Sequence, residues 1–134
     1  MRSLIILNYL KKYNMANFEE HNFEEQINNT TFKSKIVTIT ITNSSGTSPL
    51  DLTGATINLW WRRGNANGSI VKKMSIGDGL TLSDPTNGKF TIDKFFIDWG
   101  AGTYYFDIKI TDASGDKDAQ MFGTILIKED STDE

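Results

Sequence analysis

The sequence has no cysteine, two prolines and one histidine in 134 residues. Without cysteine there is no disulfide scaffold, no thiolate metal site and no cysteine nucleophile. The lone His21 would have to serve any Ser-His-Asp triad or any histidine-based zinc site by itself, so neither is expected. A basic excess is missing too. Fourteen Lys and Arg against seventeen Asp and Glu give a net charge of −3, and no block of like charge marks an interaction tail, so no nucleic-acid partner is expected. No apolar run is long enough to span a membrane. Internal repeats and low-complexity stretches are lacking as well.

What remains is a chain that is 38% hydrophobic with eight Phe, four Tyr and three Trp, enough for one core in one domain. Lys35 to Thr42 alternates Val37, Ile39 and Ile41 with Thr38, Thr40 and Thr42, the period of a half-buried strand. Ala55 to Arg62 does the same, with Ala55, Ile57, Leu59 and Trp61 inward and Thr56, Asn58, Trp60 and Arg62 outward. In Thr103 to Thr111, Tyr104, Phe106, Ile108 and Ile110 face the core, and Tyr105, Asp107, Lys109 and Thr111 face away. Shorter strands are expected at Phe23 to Ile27, Ile70 to Met74, Leu80 to Leu82 and Lys89 to Ile92, with a last one from about Ala119 to Ile127. Asn43 to Pro49 reads as a polar loop, Asp84-Pro85-Thr86-Asn87-Gly88 as a tight turn, and Lys94 to Trp99 as a crossover. Seven or eight short strands without alternating helices argue for an all-β, antiparallel two-sheet sandwich of immunoglobulin-like (Ig-like) type.

Residues 18–129 form that domain, residues 130–134 an acidic tail, and residues 1–17 an arm or upstream extension. Arg2 followed by Leu4-Ile5-Ile6-Leu7 outlines a secretory signal. However, Asn8 interrupts the apolar run, and Lys11-Lys12 stands where small cleavage-site residues belong. Two readings stay open. Met15 is the true start, or Leu4, Ile5, Leu7, Tyr9 and Leu10 form an arm that docks on a neighbouring subunit.

Six motifs follow one another: Asp51-Leu52-Thr53-Gly54-Ala55-Thr56-Ile57, Gly79 to Leu82, Asn87 to Ile92, Ala101 to Ile108, Thr111-Asp112-Ala113-Ser114-Gly115 and Gly123 to Ile127. Their order resembles a family of small Ig-like virion proteins of tailed bacteriophages, and is similar to the N-terminal domain of siphophage upper baseplate proteins. The likeness runs from about Phe32 to Glu129. It implies a non-enzymatic docking unit for tail, baseplate or fibre attachment, located in the virion after synthesis in the host cytoplasm. Partners would be other virion proteins and further copies of the chain, with no cofactor. Capsid decoration or a head-fibre role is the nearest alternative. Residues Met1–Asn14 and the doubled Trp60-Trp61 depart from the family pattern.

Function is then sought in exposed aromatics. Trp60, Trp99, Tyr105 and Phe96 are candidates for a platform that anchors a partner, and Leu4, Ile5 and Leu7 for a docking arm. The same aromatics could stack on sugars, which makes a carbohydrate-binding or host-adhesion module the alternative from a different class. Arg62-Arg63 and Lys72-Lys73 form a basic cluster, read as a solvated face or a contact for an acidic partner. Asp112, Ser114, Asp116 and Asp118 offer oxygen atoms to a hard cation but miss the EF-hand spacing, so they read as a hairpin turn and no metal site is expected.

Overall fold

Period-two alternation buries one side of an extended chain, and extended chain is what forms. The computed structural model describes residues 4–10, 17–20, 23–115 and 118–129. His21, Met15, Asp116 and the tail from Asp130 lie outside the described residues. The strands are β1 (Leu4–Leu10), β2 (Asn17–Glu20), β3 (Gln26–Ile27), β4 (Thr30–Phe32), β5 (Lys35–Asn43), β6 (Gly46–Pro49) and β7 (Thr56–Arg63). They continue with β8 (Ile70–Ile76), β9 (Gly79–Asp84), β10 (Lys89–Ile92), β11 (Phe95–Ile97), β12 (Gly102–Thr111) and β13 (Asp118–Lys128). A 3-10 turn, Pro85–Asn87, joins β9 to β10. The protein is all-β.

One sheet runs in the order β1-β5-β10-β9-β8-β7-β12-β13-β2, with β6 added to β5 and β3 to β13. A second, two-stranded sheet pairs β11 with β4. The large sheet must curl. Laid flat, β5 and β12 would stand about 24 Å apart at the usual strand spacing. Yet Val37 and Ile39 of β5 share one buried cluster with Phe90, Leu80, Met74, Trp61, Phe106 and Ile108 from the strands between and beyond. Phe23 and Phe32 complete the cluster, and their rings meet edge to face at 5.5 Å.

Seven or eight antiparallel strands are too few. Thirteen strands are formed among the described residues, and the N-terminal ones pair in parallel. β1 lies along β5, with Ile5 opposite Val37 and Leu7 opposite Ile39. β2 and β3 lie along β13. The backbone of Leu4–Leu10 thus pairs with β5 of its own chain. Two further expectations change. Gly46–Pro49 is a strand, because β10 reaches only Lys35–Thr38 of β5 and leaves Thr40–Asn43 to be paired by the returning chain. Of Phe23 to Ile27 only Gln26–Ile27 pairs as a strand. Phe23 instead turns its ring into the core, 4.6 Å from Phe106, while its N–H donates to the Thr124 carbonyl at 3.1 Å.

Candidate functional site

The inward parity of β7 and β12 decides what their outer face carries. Burying Ile57, Leu59 and Trp61 leaves Asn58, Trp60 and Arg62 outside. Burying Tyr104, Phe106, Ile108 and Ile110 leaves Tyr105, Asp107 and Lys109 outside. Register then sets their neighbours. Trp60 stands between Lys73 of β8 and Asp107 of β12, and Asp107 in turn faces Phe122 of β13. Asn58 faces Lys109, and Arg62 faces Tyr105.

A shallow depression of about 150 Å³ opens among Asn58, Trp60, Arg62, Asp107 and Lys109. Two cations flank its indole. The Lys73 ammonium lies 4.5 Å from the Trp60 ring centre and the Arg62 guanidinium carbon 5.4 Å away. Arg62 is anchored through Nη1, which donates to the Gly68 carbonyl at 3.1 Å. Asp107 is held by Gln120, whose Nε2 donates to Oδ1 at 2.8 Å. Next to the depression the Tyr105 and Phe122 rings lie 6.3 Å apart. Burial, and then the Asp107 carboxylate, push the Tyr105 phenol above its ordinary pKa against an opposing pull from Arg62. The phenol is therefore a neutral hydrogen-bonding group at physiological pH. Arg62, Lys73 and Lys109 against Asp107 make this patch net positive on a chain of net charge −3.

The four-aromatic platform is not assembled. Trp60 and Tyr105 share the outer face, but Trp99 packs against the core, 5.4 Å from Trp61 and 5.1 Å from Tyr104. Phe96 projects from β11 opposite Thr31, 56% exposed, because Phe95 and Ile97 take the inward parity of that short strand. Leu4, Ile5 and Leu7 lie in β1. Strand alternation also divides the basic cluster. Arg62 and Lys73 flank Trp60, whereas Arg63 donates through Nη1 to the Tyr104 hydroxyl at 2.9 Å and Lys72 lies over the Phe95 ring at 5.2 Å. In the Asp112–Gly115 segment Ser114 Oγ donates to Asp112 Oδ1 at 2.8 Å and the Gly115 N–H to the Asp112 carbonyl at 2.9 Å, a hairpin turn. Sequence reasoning passed over Phe122, Gln120, Asn58 and Lys109 as site residues. The same period-two count that selected Trp60 puts all four on its face.

No family model matches the chain, and no curated protein matches it.

Proposed function

We propose that this chain is a non-enzymatic structural module of a tailed-phage virion, an Ig-like sandwich that docks tail, baseplate or fibre components. Two features support the finer fold. β8 and β9 meet over only two residue pairs, Ser75–Gly79 and Ile76–Leu80, across the Gly77-Asp78 turn. Cut there, the curled sheet divides into β1-β5-β10-β9 and β8-β7-β12-β13-β2, which face each other over the shared core. The second feature is a corner built on Tyr104. Its hydroxyl lies 2.7 Å from the Trp99 carbonyl and 2.9 Å from that of Gly100, the geometry of a tyrosine corner. Two residues on, Phe106 stands opposite Trp61 with ring centres 5.7 Å apart, where antibody domains set a cystine against a buried Trp. Tyr104→Phe is expected to lower unfolding free energy by about 1–3 kcal/mol, since it strips a part-buried carbonyl and Arg63 of a partner. A urea titration would read this as a lower midpoint at unchanged slope.

The observation that carries docking is the apolar fringe on the outer side of β13. Leu126 is 45% exposed, and Ile27 of β3, opposite Lys128, is 46% exposed. With the Tyr105–Phe122 pair they form the start of a contact surface, and a specific contact typically buries about 800 Å² per partner. The occupant is a neighbouring virion subunit. Mass spectrometry of purified particles tests the reading. The chain should be present, and the Ile27→Lys, Leu126→Lys double variant should fold yet be depleted from particles. Particles that lack the wild-type chain would end the proposal.

A further inference from the structure

We infer that the depression beside Trp60 is a binding subsite for an acidic sugar, a pyranose ring carrying a carboxylate. This goes beyond the docking role and does not rest on it. At about 150 Å³ the depression is the size of one sugar ring and not of a folded peptide. Its floor and walls combine three kinds of group. Trp60 supplies an aromatic face for the C–H side of a sugar ring. Asp107 accepts hydroxyl protons, and the Asn58 amide both accepts and donates. Arg62, Lys109 and Lys73 supply donors and positive charge. A ligand that satisfies all of these has several hydroxyls, one apolar face and a single negative charge.

The site is partly organised in advance. Gln120 already holds Asp107, and the Gly68 carbonyl already holds Arg62. Both residues sit on paired strands rather than on loops, so little is lost in ordering them. Lys73 is the movable part. Its ammonium rests over the indole at 4.5 Å from an exposed position, and a cation–π contact is weak when exposed. A sugar carboxylate can draw the ammonium off the ring onto itself, which opens the aromatic face for the ring that carries the carboxylate.

The same aromatics and cations could suggest single-stranded nucleic acid, but Asp107 stands in the middle of the row between Trp60 and Phe122, where a phosphate backbone would meet it. A sugar hydroxyl uses that carboxylate, whereas a phosphate is repelled by it. A divalent cation is disfavoured as well, since Asp107 is the one carboxylate among Arg62, Lys73 and Lys109.

Isothermal titration of the full chain with a glucuronic-acid oligosaccharide, its neutral glucose counterpart and a single-stranded oligonucleotide is the test. Saturable binding of the acidic sugar is expected, with the neutral one weaker. Trp60→Ala should weaken binding about tenfold or more, as loss of a central aromatic anchor does. Asn58→Ala, which removes a hydroxyl partner without changing the charge, should weaken it as well. Phe96→Ala, on the other sheet, should leave it unchanged. Circular dichroism confirms that each variant is folded, and Trp60→Phe, which keeps an aromatic face, should retain part of the affinity. No saturable binding of the acidic sugar by folded wild type overturns the inference. So does equal binding of the neutral sugar, indifference to Trp60→Ala, or tighter, Trp60-dependent binding of the oligonucleotide. Each of these outcomes is independent of whether the chain is found in virions.

Discussion

Trp61→Ala will lower the free energy of unfolding by about 3–5 kcal/mol, the range for emptying a large aromatic site in a core. Trp61 is fully buried at the centre of an aromatic cluster, with Phe23, Phe32, Phe95, Trp99 and Phe106 all 5.4–5.7 Å from its ring. These five neighbours come from four separate parts of the chain: the segment before β3, β4, the segment around β11, and β12. A cavity here would unpin the small sheet and the N-terminal segment from the large sheet at once. Domains of this size are stable by only about 5–15 kcal/mol, so the variant loses from about a fifth to all of that. Trp61→Phe separates packing from polarity. The indole Nε1 is buried without a hydrogen-bond partner, which costs about 1–3 kcal/mol, and phenylalanine removes that cost while giving up part of the volume. Its net loss should stay below about 2 kcal/mol on urea denaturation. If Trp61→Phe proves as damaging as Trp61→Ala, the unpaired N–H is not the liability described here.

Much of this core could be read from parity alone. Val37, Ile39, Ile57, Leu59, Trp61, Tyr104, Phe106 and Ile108 all face where alternation puts them, because a slip by one residue would expose the whole set. The same count puts Lys35 in line with Val37, and Lys35 is indeed 3% exposed, its ammonium 3.5 Å from Glu24 and 5.4 Å from the Phe32 ring. Pairing partners were not legible. Alternation says which side of a strand is buried but not which strand lies beside it, so the parallel covering of β5 by β1 and of β13 by β2 had no local signal. At the site, Trp60 and Tyr105 were found because long strands carry a clear period. Phe96 and Trp99 lie apart from them: β11 is three residues long, too short to show a period, and Trp99 lies beyond its end, packed on Trp61 and Tyr104.

Gly88→Ala is expected to cost about 3 kcal/mol or more, among the larger effects a single substitution has. The turn 84–88 predicted from Asp-Pro-Thr-Asn-Gly ends on Gly88 at φ +73°, and a left-handed backbone alone costs an alanine about 1–2 kcal/mol. The position is also crowded by main chain. A Cβ there would lie 2.3 Å from the Ile39 carbonyl oxygen and 3.1 Å from that of Leu50, neither of which can rotate away. Ile39 is where β5 changes partners, between Thr38 paired to β10 and Thr40 paired to β6. Its N–H donates to the Gly88 carbonyl at 2.8 Å, and its own carbonyl accepts from the Leu50 N–H at 3.0 Å. Relieving the clash therefore stretches the bonds that tie both strands to β5, each worth about 0.5–1.5 kcal/mol net. Gly115→Ala is the control. It has the same left-handed backbone, φ +78°, but nothing within 4 Å of the added carbon, so it should show the strain without the clash. Thermal or urea unfolding of the pair measures the difference. Equal losses would mean that the close approach of Gly88 to β5 contributes nothing, and that backbone conformation alone makes the residue a glycine.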